Sequence, residues 1–287
     1  MNAKRRAWTR IATCFTACGA VLLGTAALRA GMVAYYPLDG SANEVTGNNT
    51  DLSLYGNAGF GASVAPGLGQ ALTLDGDGDG AVGMNYQKVA GNNMTVSAWI
   101  YANDAEGDWD TIVKNWGQGV GGQFHLGLGQ NLVNNLQNFL GSGAASIAVD
   151  PLPIQQWLHV AVVADAAGLQ HRLYMNGIQV SSVAFNGTLA KGTATGLGIG
   201  VKPNNDGSAP SPIANAAGFW SGAIDDVAIF DQALTADQIA LIYNAGLAGT
   251  PVGALGVPEP GTWALSLLAA MARGGRCLML RRKRRSA

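Results

Sequence analysis

Between residues 32 and 230 the chain is a succession of short apolar runs, each ended by glycine, asparagine or aspartate. Residues 95–100 and 171–175 alternate apolar and polar side chains, which is typical of strands that bury one face. Glycine supplies 41 of the 287 residues, and glycine weakens helix interiors. The spacing of the runs therefore predicts an all-β sandwich. The predicted strands are residues 32–38, 71–74, 94–101, 111–113, 123–128, 157–164, 171–176, 195–200 and 222–230.

Two local signals add a turn and a helix to this pattern. Asn176 and Gly177 separate two runs and predict a type I′ hairpin turn, because both central positions of that turn need positive φ. Residues 234–243 predict one short C-terminal helix, with Thr235 as N-cap and Gln238 completing a capping box. Residues 247–256 are rich in glycine, proline and alanine and are interpreted as a linker.

The first 30 residues predict a signal peptide. Residues 1–10 hold four basic side chains, and residues 11–28 are apolar or small. A basic segment followed by a hydrophobic segment is the layout of a secretory signal. Cleavage is expected near Ala30, so we expect the remainder of the chain to be exported.

Residues 257–287 contain a proline-glutamate-proline motif, an apolar segment and a basic end, in that order. The motif consists of Val257, Pro258, Glu259 and Pro260. This order resembles the PEP-CTERM sorting signal. The resemblance implies processing by an exosortase after transient membrane anchoring, with the basic end on the cytoplasmic side. The uninterrupted apolar stretch, residues 261–272, is shorter than the ~20 residues that a membrane-spanning helix needs, so the predicted transmembrane segment is short.

Charge is distributed unevenly along the chain. Residues 31–260 carry 5 basic and all 18 acidic side chains, a net charge of −13. An acidic body repels phosphate backbones, so we expect no nucleic-acid partner. It suits cations such as Ca²⁺, or it serves solubility alone. This body contains no cysteine, which excludes a disulfide framework and a thiolate metal site within it.

Six short segments occur in a recognisable order. They are residues 36–40, 71–76, 95–100, 156–161, 173–177 and 222–230, followed by the predicted helix. The ordered series resembles the laminin-G-like, concanavalin A-like domain family. The resemblance covers residues 31–246 and implies a jelly-roll sandwich of two antiparallel sheets. Members of that family often bind Ca²⁺ and glycans or proteins.

Four polar residues are the candidate metal ligands. They are Asp39, Asn43, Asp225 and Asp226. The first and last strands of such a domain often pair, which would bring these residues together, and the resemblance points to a metal site in this region in some relatives. Their oxygen atoms suit Ca²⁺, whereas hydrogen bonds that tie the ends of the sandwich are the alternative. We expect one of the two adjacent acids to point inward.

Three tryptophans are the candidate ligand-binding residues. Trp109, Trp116 and Trp220 lie in loop-like contexts beside glycine and aspartate. Flat rings on loops can stack on sugars, or they can anchor the loops that carry them. Trp99 and Trp157 lie in predicted strands and are interpreted as core residues.

Signals for catalysis are weak. Glucanases with this fold use a Glu-x-Asp-x-x-Glu strand that supplies paired carboxylates, and no glutamate of this chain has that spacing. His159 follows a strand tryptophan and is interpreted as structural. The sequence thus predicts a non-enzymatic surface or extracellular-matrix protein that recognises carbohydrate or protein ligands with Ca²⁺ support. The alternatives are a glycan-active enzyme on the same fold and a purely structural or adhesive surface protein.

Overall fold

The computed structural model describes residues 31–105, 107–129, 132–141, 146–149, 151–211 and 218–255. Contacts group Gly31–Ala254 as one unit. The predicted signal peptide and sorting motif lie outside the described residues. Within the described ranges, no helix is both long and apolar enough to cross a membrane.

Two antiparallel sheets build this unit, which confirms the predicted sandwich. The eight-stranded sheet contains β1 (Met32–Tyr36), β3 (Gly59–Ala62), β4 (Gln70–Asp75), β6 (Met94–Ala102), β11 (Trp157–Asp165), β12 (Gln170–Met175), β13 (Ile178–Ala184) and β15 (Ser221–Phe230). The seven-stranded sheet contains β2 (Ser53–Tyr55), β5 (Gly80–Gly83), β7 (Thr111–Asn115), β8 (Phe124–Gly129), β9 (Leu132–Leu140), β10 (Ser146–Val149) and β14 (Leu197–Ile199).

Strands that are distant in sequence are neighbours in both sheets. The first sheet has the order β13-β12-β11-β6-β15-β4-β3, and β1 also pairs with β15. The second has the order β10-β9-β8-β7-β14-β5-β2. The pairing of β1 with β15 joins the first and last strands, as the family resemblance implied. Several strands, such as β3 and β5, were not predicted from the sequence. They are short and glycine-rich, so they show little of the apolar–polar alternation by which a strand is recognised.

The core lies between the two sheets. Val96 and Ile100 of β6 are fully buried there, as are Leu126 and Leu128 of β8. These residues alternate with side chains on the opposite face of each strand, as the period-two pattern predicts. Trp157 is only half-buried, so its interpretation as a core residue is wrong.

The predicted hairpin and capping box are both present. Asn176 and Gly177 connect β12 to β13 with φ values of 49° and 78°. The helix α1 (Ala236–Leu247) begins after Thr235, whose side chain accepts a hydrogen bond from the backbone N–H of Gln238. In return, the Gln238 side chain accepts one from the N–H of Thr235 at 2.8 Å. The helix continues four residues beyond the predicted end at residue 243.

The linker interpretation of residues 247–256 is wrong over its described part. Residues Val252–Ala254 form a 3₁₀ turn. Val252 is buried, and its N–H donates a hydrogen bond of 3.0 Å to Asp226. A Cβ placed on Gly67 would lie 2.3 Å from the carbonyl oxygen of Gly249. Small residues in this segment therefore permit close packing on the domain, although the same composition is typical of a flexible linker.

A β-bulge in β15 places both adjacent acids inside the protein. The register between β15 and β6 shifts between Asp225 and Ala228, and Asp226 has a φ of 50°. Exposed fractions are 0% for Asp225 and 4% for Asp226. The expectation that one acid points inward is corrected, because the bulge interrupts the alternation that would have turned the other toward solvent.

Candidate functional site

A cavity of about 250 Å³ lies against the seven-stranded sheet. Its described lining consists of Trp109, Lys114, Trp116, His125, Phe139 and Lys202. Three of these side chains form a row across adjacent strands. Lys114 of β7 lies opposite His125 of β8, which lies opposite Phe139 of β9.

Strand alternation points this row away from the core. Phe124 and Leu126, on either side of His125, are fully buried between the sheets. Leu140 is buried in the same cluster and follows Phe139. Because successive side chains point to opposite faces of a strand, His125 and Phe139 lie on the outer face and are available to line a site.

Trp109 forms one wall of the cavity. Its ring centroid lies 5.6 Å from that of His125 and 5.5 Å from that of Phe139. The backbone at Trp109 has a φ of 64°, which a bulky residue seldom adopts. A hydrogen bond of 3.2 Å from the Thr111 hydroxyl to the carbonyl of Trp109 helps to hold this loop. Such a conformation needs support from its surroundings, and residues of this kind cluster at functional sites.

Trp116 and Lys202 complete the described lining. Trp116 directly follows β7, and Lys202 lies three residues beyond the end of β14. Both side chains are half-buried. The cavity therefore combines aromatic surface with two ammonium groups, one of them still partly in contact with solvent.

The ammonium group of Lys114 sits in an unfavourable environment. Only 5% of this residue is exposed. Burial, followed by the positive charge of Lys202, lowers its pKa to about 7, while Asp110 acts in the opposite direction. Its Nζ lies 5.6 Å from the ring centroid of Trp109, within reach of a cation–π interaction.

Two buried acceptors on the outer face have no hydrogen-bond partner among the described residues. His125 Nε2 lies 3.1 Å from the carbonyl oxygen of Leu128, which can only accept, so Nε2 carries the proton and Nδ1 is left as an acceptor. Burial lowers the pKa of His125 well below its ordinary value, which keeps this ring neutral. Oε1 of Gln137, opposite Gly127, is the second unpartnered acceptor. Buried polar atoms of this kind are usually satisfied. Of the two residues, only His125 lines the cavity, so its Nδ1 suits a hydroxyl donor of a ligand.

Asp110 lies beside the cavity but faces a loop. Burial, followed by the negative charge of Asp104, raises its pKa to about 6. Its carboxylate accepts a backbone hydrogen bond from Gly107. Among the described lining residues there is no carboxylate.

The predicted metal ligands fall into two groups. Asp225 Oδ1 accepts the N–H of Asp226 at 2.8 Å, and Oδ2 accepts the hydroxyl of Ser63. Asp226 accepts the hydroxyl of Tyr35 and the N–H of Val252. All four oxygens of this acidic pair therefore already accept hydrogen bonds. These contacts tie β15 to the segments around it, which is the alternative role considered for the pair.

Asp39 and Asn43 contribute less directly. Asp39 accepts the N–H of Gln70 at 2.7 Å, and its charge adds to the raised pKa of both members of the acidic pair. Asn43 is exposed and forms none of the hydrogen bonds that hold the pair. Within the described ranges, no group of three or more histidine, cysteine, aspartate or glutamate side chains is arranged to hold a metal ion. Calcium at this position stays a prediction.

The three candidate tryptophans also separate. Trp109 and Trp116 line the cavity together. Trp220 is 1% exposed, belongs to the main core cluster and donates a hydrogen bond of 3.1 Å to the carbonyl of Tyr101. The prediction that Trp220 presents a ring to a ligand is therefore corrected. Its neighbours Gly218 and Ser221 suggested a loop, but the ring points into the interior.

Sequence reasoning missed Lys114, His125, Phe139 and Lys202 as lining residues. A sequence signal did exist for Lys114. It is one of only five basic residues in the acidic body, and it directly follows a predicted strand. No local signal existed for Phe139. It reaches the site through the pairing of β8 with β9, which its own sequence context does not encode.

The sequence matches one family. The profile of the family described as the concanavalin A-like lectin/glucanases superfamily matches residues 75–240, more than half of the chain. A comparison with curated proteins found no match.

Solved structures share the fold at low sequence identity. Domain 4 of AbnA, a GH43 extracellular arabinanase from Geobacillus stearothermophilus solved in complex with arabinotriose, superposes with a TM-score of 0.52 at 20% identity, over 74% of this chain and 98% of that one. The receptor binding domain of a botulinum neurotoxin C/D mosaic serotype superposes with a TM-score of 0.55 at 18% identity. The match covers 78% of this chain and 55% of that one.

A structure of botulinum neurotoxin type C, whose cell entry depends on interaction with two ganglioside molecules, gives a TM-score of 0.53 at 14% identity, over 76% of this chain and 51% of that one. This chain therefore spans about half the length of the toxin chains it matches. At these identities the likeness shows the fold alone.

Proposed function

Since this chain belongs to the concanavalin A-like lectin/glucanases superfamily, we propose that it is a carbohydrate-binding protein whose sugar site is the cavity lined by Trp109, Trp116 and His125. The observation that carries the proposal is the combination of aromatic walls with His125, whose Nδ1 is an unpartnered acceptor, in the lining of one cavity. Ligand sites of this kind pair apolar surface, which excludes water, with a few polar atoms that fix orientation.

The chemistry of a sugar fits this lining. One face of a pyranose or furanose ring presents C–H groups that can lie on an indole ring, as apolar surfaces do on aromatic side chains. A hydroxyl group of the sugar can donate to Nδ1 of His125. Burying that acceptor without a partner is unfavourable, and a bound sugar would remove that cost.

Two of the structural relatives support a sugar as ligand. AbnA domain 4 was solved with arabinotriose, and the type C neurotoxin depends on gangliosides for cell entry. We extend the proposal to an exported protein, delivered by the predicted signal peptide and sorted by the tail after Val257. Its site of action is then the cell surface or the surrounding matrix, and calcium support at Asp225 and Asp226 belongs to the same proposal.

The test is retention of the full chain on a glycan array, compared with two variants of the cavity. Trp109→Ala and Trp116→Ala should each weaken binding about tenfold or more, because truncating a buried aromatic anchor is among the most damaging changes at a binding site. Trp157→Ala is the matched control. It removes a half-buried indole from β11 in the other sheet, and binding should be unchanged.

Two results would redirect the proposal. If the variants and the control all bind glycans as the unchanged chain does, the sugar site is elsewhere. If the same incubations release shortened oligosaccharides, the glycan-active alternative replaces a purely binding role. Failure to retain any glycan, with retention of a surface protein instead, would favour a protein ligand.

A further inference from the structure

Basic side chains are scarce in the body of this protein, yet two of them share the cavity. Residues 31–260 have five basic residues against 18 acidic ones. Lys114 and Lys202 both line the cavity. In a body with a net charge of −13, chance placement favours basic residues beside acids, not beside each other. Their shared position concentrates positive charge in a protein that otherwise repels anions.

The other three basic residues of the body have partners. Arg172 forms an ion pair with Asp165, with a distance of 2.9 Å between Nη2 and Oδ2. Lys88 donates to the carbonyl of Gly192 at 2.9 Å. Lys191 donates to the carbonyl of Gly91. Each of these three positive charges of the body is therefore matched by an oxygen acceptor.

The two cavity lysines differ from these in their contacts. Among the described residues, neither Lys114 nor Lys202 donates a hydrogen bond or forms an ion pair. The acid that acts electrostatically on Lys114 is Asp110, and its carboxylate accepts a hydrogen bond from the backbone of Gly107. A buried ammonium group without a partner is costly. The burial of Lys114 is therefore explained best by a partner that arrives from outside.

An anion is the partner that these surroundings favour. The positive charge of Lys202 disfavours the charged form of Lys114, and a negative group between the two would reverse that effect. Carboxylate and sulfate oxygens accept strong charge-assisted hydrogen bonds from ammonium groups. The aromatic wall of Trp109 beside Lys114 would still meet the ring of the sugar that carries the anion.

We infer that the cavity binds an acidic sugar, one that carries a carboxylate or a sulfate group, and that Lys114 and Lys202 hold the negative group. The inference rests on the proposed sugar site and specifies which class of sugar occupies it. Neutral sugars of the same shape would offer the ammonium groups only uncharged acceptors, so the site discriminates by charge as well as by shape.

The experiment compares matched pairs of glycans on an array, using the full chain. Each uronate-bearing oligosaccharide is paired with its methyl ester, and each sulfated one with its desulfated counterpart. The acidic member of a pair should bind at least about tenfold more tightly, which is the effect expected of one hydrogen bond to a charged group. Higher salt should reduce this preference, because the partly exposed charge of Lys202 is screened.

Variants assign the preference to the lysines. Lys202→Gln should remove most of the preference, and Lys202→Arg should retain it because the positive charge stays. Lys114→Met replaces the buried ammonium group with an apolar side chain of similar length, and it should remove the preference while the thermal midpoint is held or raised. Arg172→Gln is the control, since it removes the same charge from the other sheet, and it should leave the preference intact.

The outcomes separate this inference from the proposed function. Equal or tighter binding of the neutral members overturns the acidic-sugar inference and leaves the sugar site in place. A preference that survives both lysine variants also overturns it. If neither acidic nor neutral glycans bind, the proposed function fails, and this inference fails with it. Selective binding of one class of pairs tells carboxylate from sulfate.

Discussion

At the scale of single residues, burial decides the chemistry of the charged side chains. Lys114 and Asp225 are both nearly free of solvent contact, and burial moves each pKa toward the neutral form. The pKa of Lys114 falls to about 7, and that of Asp225 rises to about 8. The sequence identified Asp225 as a candidate because of its residue type. It could not show that four hydrogen bonds already occupy this residue and Asp226.

The raised pKa of Asp225 predicts a loss of stability with rising pH. The ordinary pKa of 3.8 applies to the unfolded chain, so between about pH 4 and pH 8 the folded state holds a proton that the unfolded state has released. Stability from this group is complete below pH 4 and is lost as pH rises toward 8. Compared with Asp225→Asn, the unchanged chain should lose up to about 1.4 kcal/mol of unfolding free energy per pH unit in this window. Urea unfolding in EDTA measures it.

Two additions make this test specific. Asp77→Asn alters an exposed aspartate and serves as the control. The difference in unfolding free energy between this variant and the unchanged chain should not grow with pH as it does for Asp225→Asn. Excess calcium in place of EDTA should raise the thermal midpoint of the unchanged chain and of Asp77→Asn but not that of Asp225→Asn, if the ion binds the folded state alone. Midpoints that ignore calcium in all three proteins would contradict the calcium prediction.

At the scale of elements, the helix α1 covers a polar and aromatic patch on the outer face of the eight-stranded sheet. Tyr243 of the helix stacks on Trp99 with ring centroids 5.7 Å apart. His159 lies beside both rings, and its Nε2 is 2.8 Å from the hydroxyl of Ser97. His159 is 1% exposed, which agrees with its interpretation as a structural residue. The capping box was readable from sequence because it is local, whereas the surface that the helix covers was not.

Because α1 contacts Trp99, we expect one substitution in the helix to change stability in the direction opposite to helix propensity. Alanine in place of Gly246 would gain about 1 kcal/mol by propensity alone. Its Cβ, however, would lie 2.4 Å from Nε1 of Trp99, a buried ring with little room to move. Gly246→Ala should therefore lower the unfolding free energy by about 1–3 kcal/mol, the usual cost of overpacking. Chemical denaturation monitored by tryptophan fluorescence gives this value.

Gly91→Ala is the control for this substitution. Gly91 is exposed, and the nearest atom to an added Cβ would be 4.0 Å away. Stability should be unchanged or slightly higher there, since alanine reduces the freedom of the unfolded chain. An equal loss of unfolding free energy for Gly246→Ala and Gly91→Ala would mean that the contact with Trp99 is not the cause of the loss.

At the scale of the whole molecule, the sandwich brings distant segments to one site. Trp109 and Lys202 are 93 residues apart in the numbering, yet they line one cavity because β14 pairs with β7. On the opposite sheet, β1 pairs with β15 and connects the two ends of the domain. The predicted signal peptide and the predicted sorting tail lie outside the described residues, and they concern the location of the protein rather than its site.

The proposed sorting tail leads to a prediction of where the protein is found. Removal of residues 257–287 should release the exported chain into the medium, because the predicted anchor and the motif are both lost. Replacing Pro258 and Pro260 by alanine should leave the chain in the membrane fraction, unprocessed, because the apolar and basic parts remain. Fractionation followed by immunoblotting distinguishes these outcomes. The same distribution for all three proteins would remove the sorting function from this segment.

The sequence alone was sufficient for the class of fold and for several local features. Period-two alternation in residues 95–100, the turn at Asn176 and Gly177 and the capping box at Thr235 are all set by neighbours within a few residues. Such features depend on φ preferences and on side chain–backbone hydrogen bonds, which act over short stretches of chain. For the same reason, the family resemblance could be read from short ordered segments.

Only the tertiary structure decided which residues meet. Trp220 shares the glycine-rich context of Trp109, yet one ring is in the core and the other is at the cavity. The row from Lys114 through His125 to Phe139 depends on hydrogen-bond register between strands, and a shift of one residue would turn each side chain to the opposite face. Register and burial arise from pairing across the whole chain, so no short segment contains them.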